Sequence, residues 1–273
     1  MTETRTTCPY CGVGCGVVAR VEGEAVSVHG DKTHPANLGR LCVKGSALGE
    51  TTGLQGRLLC PVVDGLEVDW AQALSAAGER LREIIDKWGP QAVAFYASGQ
   101  LLTEDYYAAN KLMKGFIGAA NIDTNSRLCM SSAVVGYKRA FGEDVVPCGY
   151  EDMEDSDLVV LAGSNAAWTH PVLYQRLVQA KRDNPRMKVV VIDPRRTATC
   201  DIADRHLAIA PGTDAGLFVG LLRAIAQTGN AETDFTDARA ALAMAADWSV
   251  AKVADFCGLT EADVQAFYQD FMA

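Results

Sequence analysis

Four of the nine cysteines lie within the first 42 residues, and their spacing constrains this chain more than any other feature. Cys8, Cys11 and Cys15 are separated by two and then three residues, and Cys42 follows after 26 more. Thiolates at such short spacings can converge on one metal centre, and the glycines beside them permit the tight backbone turns that this requires. We therefore expect a metal site near the N-terminus.

Three kinds of metal site compete for this pattern. A structural zinc site usually has two short Cys-x-x-Cys units, whereas the second half of this pattern contributes Cys42 alone. A bacterial ferredoxin motif has a compact fourth ligand, whereas Cys42 is distant in sequence. The spacing therefore favours one [4Fe–4S] cluster held by all four thiolates, and zinc remains the alternative. Two β-rich runs flanking Glu22-Gly23-Glu24 predict a hairpin that returns Cys42 to the cluster.

The charge, the apolar runs and the cysteine count limit which partners and which cellular compartment we expect. Lys and Arg number 25 against 34 Asp and Glu, so the net charge of −9 disfavours nucleic acid or an anionic membrane as a partner. No apolar run reaches the roughly 18 residues that a membrane span needs. The N-terminus has no apolar segment and no twin-arginine pair, so we expect no export signal and a cytoplasmic protein. Nine cysteines, an odd number, in a protein expected to be cytoplasmic indicate metal binding or catalysis rather than disulfides.

The middle of the chain shows helical and strand patterns with clear boundary residues. Asp69 predicts the start of a helix, and Gly89-Pro90 predicts its end. We expect an irregular stretch to about residue 65, a helix at 70–88, a strand at 92–97, a helix at 103–117, a polar loop at 121–130 and a helix at 131–141.

The following segment has the pattern of a parallel β-α-β unit. Apolar strands are predicted at 158–162, 188–192 and 206–210, with a helix at 171–182 between the first two. Small, polar or acidic residues follow each strand, where nucleotides bind in such sheets, although no G-x-G-x-x-G motif is present. Further helices are expected at 234–246, 249–256 and 260–271. The predicted fold class is α/β, with a small cysteine-rich β-hairpin head followed by α/β layers that include a Rossmann-like parallel sheet.

Taken together, these motifs resemble the molybdopterin oxidoreductases that bind bis-molybdopterin guanine dinucleotide, and within them the assimilatory nitrate reductases. The head and the segment Leu41-Cys42-Val43-Lys44 match the [4Fe–4S] domain of that family. The resemblance implies that Lys44 lies between cluster and pterin, where an ammonium would offset their negative charge.

A second motif matches the metal-binding loop of the family. The resemblance implies that Cys129 ligates molybdenum and that Asn125 contacts the pterin. Met130 follows the ligand directly, as in cytoplasmic and periplasmic nitrate reductases, whereas formate dehydrogenases of this family typically have histidine there. The resemblance therefore implies catalytic roles for Cys129, Met130 and Lys44.

The remaining matched positions are contacts to the pterin or to the guanine dinucleotide. Backbone N–H groups, an asparagine and an arginine can hold phosphates, and carboxylates at strand ends can accept from ribose or guanine. The implied cofactor-binding residues are Lys44, Gln100, Asn125, Gly163, Ser164, Asn165, Asp193, Pro194, Arg195, Gly212, Thr213 and Asp214.

The resemblance also implies a reaction and a domain organisation. It implies two-electron reduction of nitrate to nitrite at molybdenum, with electrons from ferredoxin, flavodoxin or a nicotinamide-using reductase subunit. Formate oxidation on the same scaffold and a non-catalytic electron-transfer chain are the alternatives. We expect a cluster domain at 1–55, a pterin-contacting segment at 56–124 and a dinucleotide-binding domain at 125–273. Members of the family are far longer, so this chain corresponds to their N-terminal portion.

Five other positions have no defined ligand role. Cys60, Cys148, Cys200 and Cys257 are expected to be buried or partly buried thiols. His170 follows the first strand-end loop closely, so it lines either the substrate funnel or the protein interior.

Overall fold

The computed structural model of the chain describes residues 2–99, 101–229 and 237–273. Its strands are β1 (Thr2–Thr7), β2 (Gly16–Glu22), β3 (Ala25–Gly30), β4 (Val62–Val63), β5 (Leu66–Glu67), β6 (Phe95–Ala97), β7 (Ile122–Thr124), β8 (Leu158–Ala162), β9 (Lys188–Ile192) and β10 (Arg205–Leu207). Its α-helices are α1 (Val43–Ser46), α2 (Trp70–Trp88), α3 (Thr103–Asn110), α4 (Ser126–Cys129), α5 (Ser131–Phe141), α6 (Tyr150–Glu154), α7 (Ala166–Thr169), α8 (Pro171–Asp183), α9 (Asp214–Gln227), α10 (Ala238–Ala245), α11 (Val250–Cys257) and α12 (Glu261–Met272).

The N-terminal head is a three-stranded antiparallel sheet in the order β1-β2-β3. The predicted hairpin is confirmed, because Glu22 pairs with Ala25 across a turn in which Gly23 has a positive φ of 62°. Strand β1 was absent from the sequence prediction, since its residues are all exposed and it has no apolar face. The stretch predicted to be irregular contains helix α1, a short 3₁₀ turn at Leu48–Thr52 and strand β4.

The middle segment follows the predicted pattern, with two corrections. Helix α2 begins with a capping box, in which the Asp69 carboxylate accepts from the Gln72 N–H and the Gln72 side chain accepts from the Asp69 N–H. The predicted strand at 92–97 is reduced to β6. The predicted polar loop at 121–130 contains β7, which pairs in parallel with β6, and α4. Helix α3 continues to the predicted end as a π-helical segment at Lys111–Ile117.

The parallel sheet has the order β10-β9-β8, and α8 connects β8 to β9. Side chains of β9 alternate between two cores. Val190 and Ile192 belong to the core that includes residues of α9, α11 and α12, whereas Val189 and Val191 pack with Leu177 of α8. A strand buried on both faces is typical of parallel sheets covered by helices. This arrangement confirms the predicted α/β class.

Boundaries in the C-terminal half differ from the prediction by a few residues at several ends. Strand β10 ends at Leu207, three residues before the predicted end. The helix predicted at 234–246 falls partly outside the described residues, and its described portion is α10. Helix α6 was missed. Within the described ranges, no helix is long and apolar enough to cross a membrane.

Candidate metal and cofactor site

The four cysteines of the head surround one cavity, as their spacing predicts. Its lining includes Cys8, Cys11, Cys15 and Cys42, and the opposite wall is formed by residues 169–172 at the start of α8. The backbone folds the cysteine loop onto itself, because the Cys8 N–H donates to the Cys15 carbonyl at 2.8 Å. Residues far apart in sequence therefore line this cavity together.

The other three thiols of the cavity influence the ionisation of Cys15. Burial and, to a smaller extent, the thiols of Cys11, Cys8 and Cys42 raise the pKa of Cys15 to about 11. A thiolate at Cys15 therefore needs compensating positive charge, which bound iron supplies. Among the described residues, no three His, Cys, Asp or Glu side chains are grouped closely enough to hold a metal ion as they stand. All four cysteines nevertheless line one cavity.

Asn37 fixes the part of the head that leads to the fourth cysteine. Its fully buried side chain accepts from the Gly16 N–H at 2.8 Å and donates to the Gly16 and Arg40 carbonyls at 3.0 and 2.8 Å. Because Gly16 follows the third cysteine directly, the Asn37 amide joins the two halves of the cysteine pattern. Sequence reasoning missed this residue, and its role has no local sequence signal.

Lys44 lies beside the cysteine loop. Its ammonium is 5.5 Å from the ring centroid of Tyr10, which stands between the first two cysteines. The contact is a cation–π interaction, which holds the long side chain near the loop. A positive charge is therefore placed at the edge of the cysteine site.

A groove separates the head from the segment after β6. One wall is the head loop at residues 7–14, and the other includes Gly99, Leu101 and Leu102. Its volume of about 400 Å³ is of the size that organic cofactors occupy. Gln100, a predicted pterin contact, lies outside the described residues.

The predicted metal-binding loop reaches the rim of this groove. The Asn125 side chain packs so closely on Gly99 that a Cβ there would lie 2.6 Å from Asn125 Oδ1. Cys129 ends α4, and its N–H donates to the Asn125 carbonyl at 3.1 Å. Both Cys129 and Met130 are exposed. The fold thus brings Asn125 to the wall that faces the cysteine loop and leaves the Cys129 thiol accessible.

The loops after β8 and β9 are joined by side chains. Gly163 has a positive φ of 59°, and its N–H donates to the Ile192 carbonyl at 2.8 Å. The Thr199 hydroxyl donates to Asn165 Oδ1 and accepts from the Ala167 N–H, both at 3.1 Å. Ser164, between these positions, is partly buried. Two predicted phosphate-contacting loops therefore form one surface.

Asp193 is buried at the carboxyl end of β9. Its Oδ1 accepts from the Arg195 N–H at 2.8 Å, and its carbonyl oxygen lies 2.8 Å from Nε2 of His206. Pro194 and Arg195 are exposed, so the Arg195 guanidinium is accessible to an anion. This loop also contains the Thr197 hydroxyl, a buried group without a hydrogen-bond partner among the described residues. A buried hydroxyl left without a partner fits a loop that contacts a polar ligand.

The third predicted loop leads into α9. Gly212 has a positive φ of 80°, and the Thr213 hydroxyl donates to the Ala210 carbonyl at 2.6 Å. Asp214 is the first residue of the helix. Cys257 lies below this turn and donates its thiol proton to the Thr213 carbonyl, with a sulfur–oxygen distance of 3.6 Å.

The remaining predicted positions have mixed outcomes. Cys200 and Cys257 are buried and Cys60 is partly buried, as expected, whereas Cys148 is exposed in the segment between α5 and α6, contrary to the expectation. His170 lines the cysteine cavity, and its Nδ1 is 2.8 Å from the Thr169 hydroxyl. The sequence analysis missed Thr199 and His206, since a strand pattern does not reveal which loops its neighbours join.

Comparisons with known proteins agree with this site. The family model for molybdopterin oxidoreductases matches residues 57–255, and that for the molybdopterin oxidoreductase Fe4S4 domain matches residues 1–52. The two matches indicate a molybdopterin cofactor and a [4Fe–4S] cluster.

Individual relatives carry related names. Nitrate reductase of Klebsiella oxytoca is 76% identical over all of this chain and 32% of its own length. Nitrate reductase of Shewanella frigidimarina is 44% identical over 98% of this chain and 30% of its own length. Periplasmic nitrate reductase of Desulfovibrio desulfuricans is 45% identical over 76% of this chain and 28% of its own length. The chain spans about a third of the length of the curated relatives it matches.

A solved structure shares the fold. Acetylene hydratase from Pelobacter acetylenicus superposes with a TM-score of 0.82 at 21% identity, over 97% of this chain and 38% of that chain. At this identity the comparison supports the fold alone.

Proposed function

Because this chain belongs to the molybdopterin oxidoreductase family, we propose that it is the cluster-bearing and dinucleotide-binding portion of an enzyme that reduces nitrate to nitrite. The observation that carries the proposal is the shared cavity of Cys8, Cys11, Cys15 and Cys42, next to a groove that leads towards Asn125. When bound, the molybdenum cofactor supplies two-electron oxygen-atom transfer, and the cluster supplies single-electron transfer.

The head residues hold the cluster and control the charge around it. The four thiolates ligate iron, and burial of Cys8 and Cys15 keeps water from two of those ligands. Lys44 places a positive charge beside the site, which stabilises the added negative charge of the reduced cluster. In this proposal, the ammonium of Lys44 would offset the negative charge of a cluster and a pterin bound on either side of it.

The loop after β7 presents the metal ligand. The Cys129 thiolate is a soft ligand suited to molybdenum, and its exposure leaves it accessible to an incoming cofactor. Met130 beside it is apolar and cannot carry a proton at neutral pH, which favours reduction of an oxyanion over formate oxidation. Asn125 and Gln100 contact the pterin in this proposal.

The strand-end loops hold one guanine dinucleotide. Gly163, Ser164 and Asn165 offer backbone N–H groups and an amide, and the Arg195 guanidinium pairs with a phosphate. Pro194 and Gly212 shape the loops that carry these groups. The carboxylates of Asp193 and Asp214 accept hydrogen bonds from the ribose and base. The hydroxyls of Thr197 and Thr213 accept from or donate to the same groups.

The finer assignments are part of the same proposal. We assign residues 1–55 to the cluster, 56–124 to pterin contacts and 125–273 to the dinucleotide. We also propose a cytoplasmic, assimilatory enzyme that receives electrons from ferredoxin, flavodoxin or a nicotinamide-using reductase subunit. Cell fractionation tests the compartment.

The test is metal content and turnover of the anaerobically purified full-length protein that contains this chain. About four irons and one molybdenum per chain are expected, with reduction of nitrate by a reduced viologen. Cys129→Ser should remove molybdenum and turnover while sparing iron, and Cys148→Ser is the matched control because that thiol is also exposed. Zinc without iron, oxidation of formate in place of nitrate reduction, or an active Cys129→Ser variant would each contradict the proposal.

A further inference from the structure

Arg176 is a buried charge that joins the head to the dinucleotide-binding unit. It lies on α8, and its side chain is 1% exposed. Nε and Nη2 donate to the two carboxylate oxygens of Glu154 at 2.5 and 2.8 Å, and Nη1 donates to the Pro35 and Ala36 carbonyls at 2.7 and 3.0 Å. The ring of Tyr150 lies 5.4 Å from the guanidinium carbon.

This geometry needs a guanidinium. A buried cation is tolerated only when its donors are satisfied, and a planar fork can bind a carboxylate with one edge while the other nitrogen reaches elsewhere. The carboxylate of Glu154 in α6 occupies one edge of Arg176, and two carbonyls that precede the fourth cysteine occupy Nη1. A lysine has one point charge, so it cannot satisfy both sides.

The contacts continue from Arg176 to the cysteine ligands. The residue after the two carbonyls is Asn37, whose amide holds Gly16 and Arg40, and Gly16 adjoins the third cysteine. Gln175, next to Arg176 on α8, donates to the Leu41 carbonyl at 3.4 Å, immediately before the fourth cysteine. The first residues of the same helix form the opposite wall of the cysteine cavity. One helix therefore both encloses the cavity and fixes the backbone that carries its ligands.

We infer that Arg176 is a positioning residue for the cluster, which sets the placement of the third and fourth cysteine ligands and thereby the retention and reduction potential of the cluster. The inference rests on the proposed function, since it presupposes the cluster. Arg176 would then influence the iron site although it lies about 130 positions beyond Cys42, the last ligand in sequence. Partners outside the ligand shell that orient ligands typically alter metal affinity when they are removed.

The experiment compares Arg176→Lys and Glu154→Gln with Lys181→Met in the full-length holoprotein. Lys181 is a matched control, because it lies on the same helix and forms a 2.5 Å ion pair with Asp204, within the dinucleotide-binding unit. The readouts are iron and sulfide content, the rate of cluster loss to a chelator, the reduction potential and the electron paramagnetic resonance spectrum of the reduced cluster. Hydrogen exchange of residues 34–42 reports the head loop itself.

The expected result is cluster loss faster by on the order of 10-fold in Arg176→Lys, with a shifted potential, an altered spectrum and faster exchange at 34–42. Glu154→Gln should change the same readouts in the same direction but by a smaller amount, since Arg176 retains its contacts with the two carbonyls. If Arg176→Lys does not fold, Glu154→Gln alone tests the inference. Lys181→Met should change none of these readouts. If the wild type contains iron and both variants match it in reduction potential, spectrum and rate of cluster loss, the inference alone is overturned. A wild type without iron would overturn the proposed function as well.

Discussion

The hydroxyl of Thr199 is held between Asn165 Oδ1 and the Ala167 N–H, at 3.1 Å from each. This fully buried group joins the loop after β9 to the loop after β8. Thr199→Val keeps the branched shape and removes the hydroxyl, so two polar groups lose a partner. We expect a loss of about 1–3 kcal/mol in the free energy of unfolding and weaker retention of the dinucleotide.

Urea unfolding and molybdopterin content measure the two effects of Thr199→Val. Thr52→Val is the control, because the Thr52 hydroxyl is exposed and donates only to a carbonyl three residues earlier. The control should change stability by less than about 0.5 kcal/mol. Equal effects of the two substitutions would contradict a specific role for the Thr199 hydroxyl.

Gly99→Ala should disturb the loop that carries Cys129. A Cβ at this position would lie 2.6 Å from Asn125 Oδ1, so the Asn125 side chain must move. We expect loss of molybdenum and of nitrate reduction with iron content unchanged. Gly78→Ala is the control, since that glycine is in the exposed interior of α2 with open space around it and alanine stabilises helices by roughly 0.5–1 kcal/mol. Molybdenum at wild-type content in Gly99→Ala would contradict this prediction.

Asn37→Ala should release the cluster. The substitution removes the Asn37 partner of the Gly16 N–H and of the Arg40 carbonyl, at a cost of about 1–3 kcal/mol for a buried group, whereas the Gly16 carbonyl keeps its hydrogen bond from the Asp31 N–H. Iron content and thermal unfolding measure the outcome. Asn110→Ala removes a single hydrogen bond, from the Asn110 side-chain amide to the Tyr106 carbonyl in α3, and should leave iron content unchanged. The prediction fails if Asn37→Ala retains iron as tightly as this control.

Glu154 should make stability depend on pH in the acid range. The hydrogen bond from Arg176 lowers the pKa of its carboxyl group below the ordinary value. The folded carboxyl therefore binds a proton less readily than the unfolded one, whose pKa is about 4.3. Its contribution is complete above that pKa and is lost as the pH falls through the lower folded value.

Urea unfolding across this acid range tests the contribution of Glu154. Glu154→Gln should reduce stability at neutral pH and flatten the decline on acidification, because the variant has no proton to bind at this position. Parallel stability curves for wild type and variant would show that the carboxylate does not couple to folding.

Local signals explain what the sequence could predict. The capping residue Asp69 and the turn at Gly23 act on neighbours a few residues away, so the start of α2 and the β2–β3 hairpin were predictable. The apolar residues of β9 identify a strand buried on both faces. The cysteine spacing likewise identified four residues that the structure places around one cavity.

Non-local pairing explains what the sequence could not predict. Strands β1 and β7 are short or polar, and they exist because β2 and β6 offer them backbone partners. The contact between Arg176 and the Pro35 carbonyl spans 141 positions, so no periodicity records it. Thr199 is similar, because its importance depends on which loops the parallel sheet brings side by side.

The cysteine cavity is formed by two distant parts of the chain, and these are synthesised at different times. All four thiols leave the ribosome within the first 42 residues, but their second wall lies at residues 169–172. At about 5–20 residues per second, the intervening chain takes on the order of ten seconds to make. Throughout that interval the nascent head lacks residues 169–172, and iron can be delivered to Cys8 and Cys15, which are buried in the finished protein.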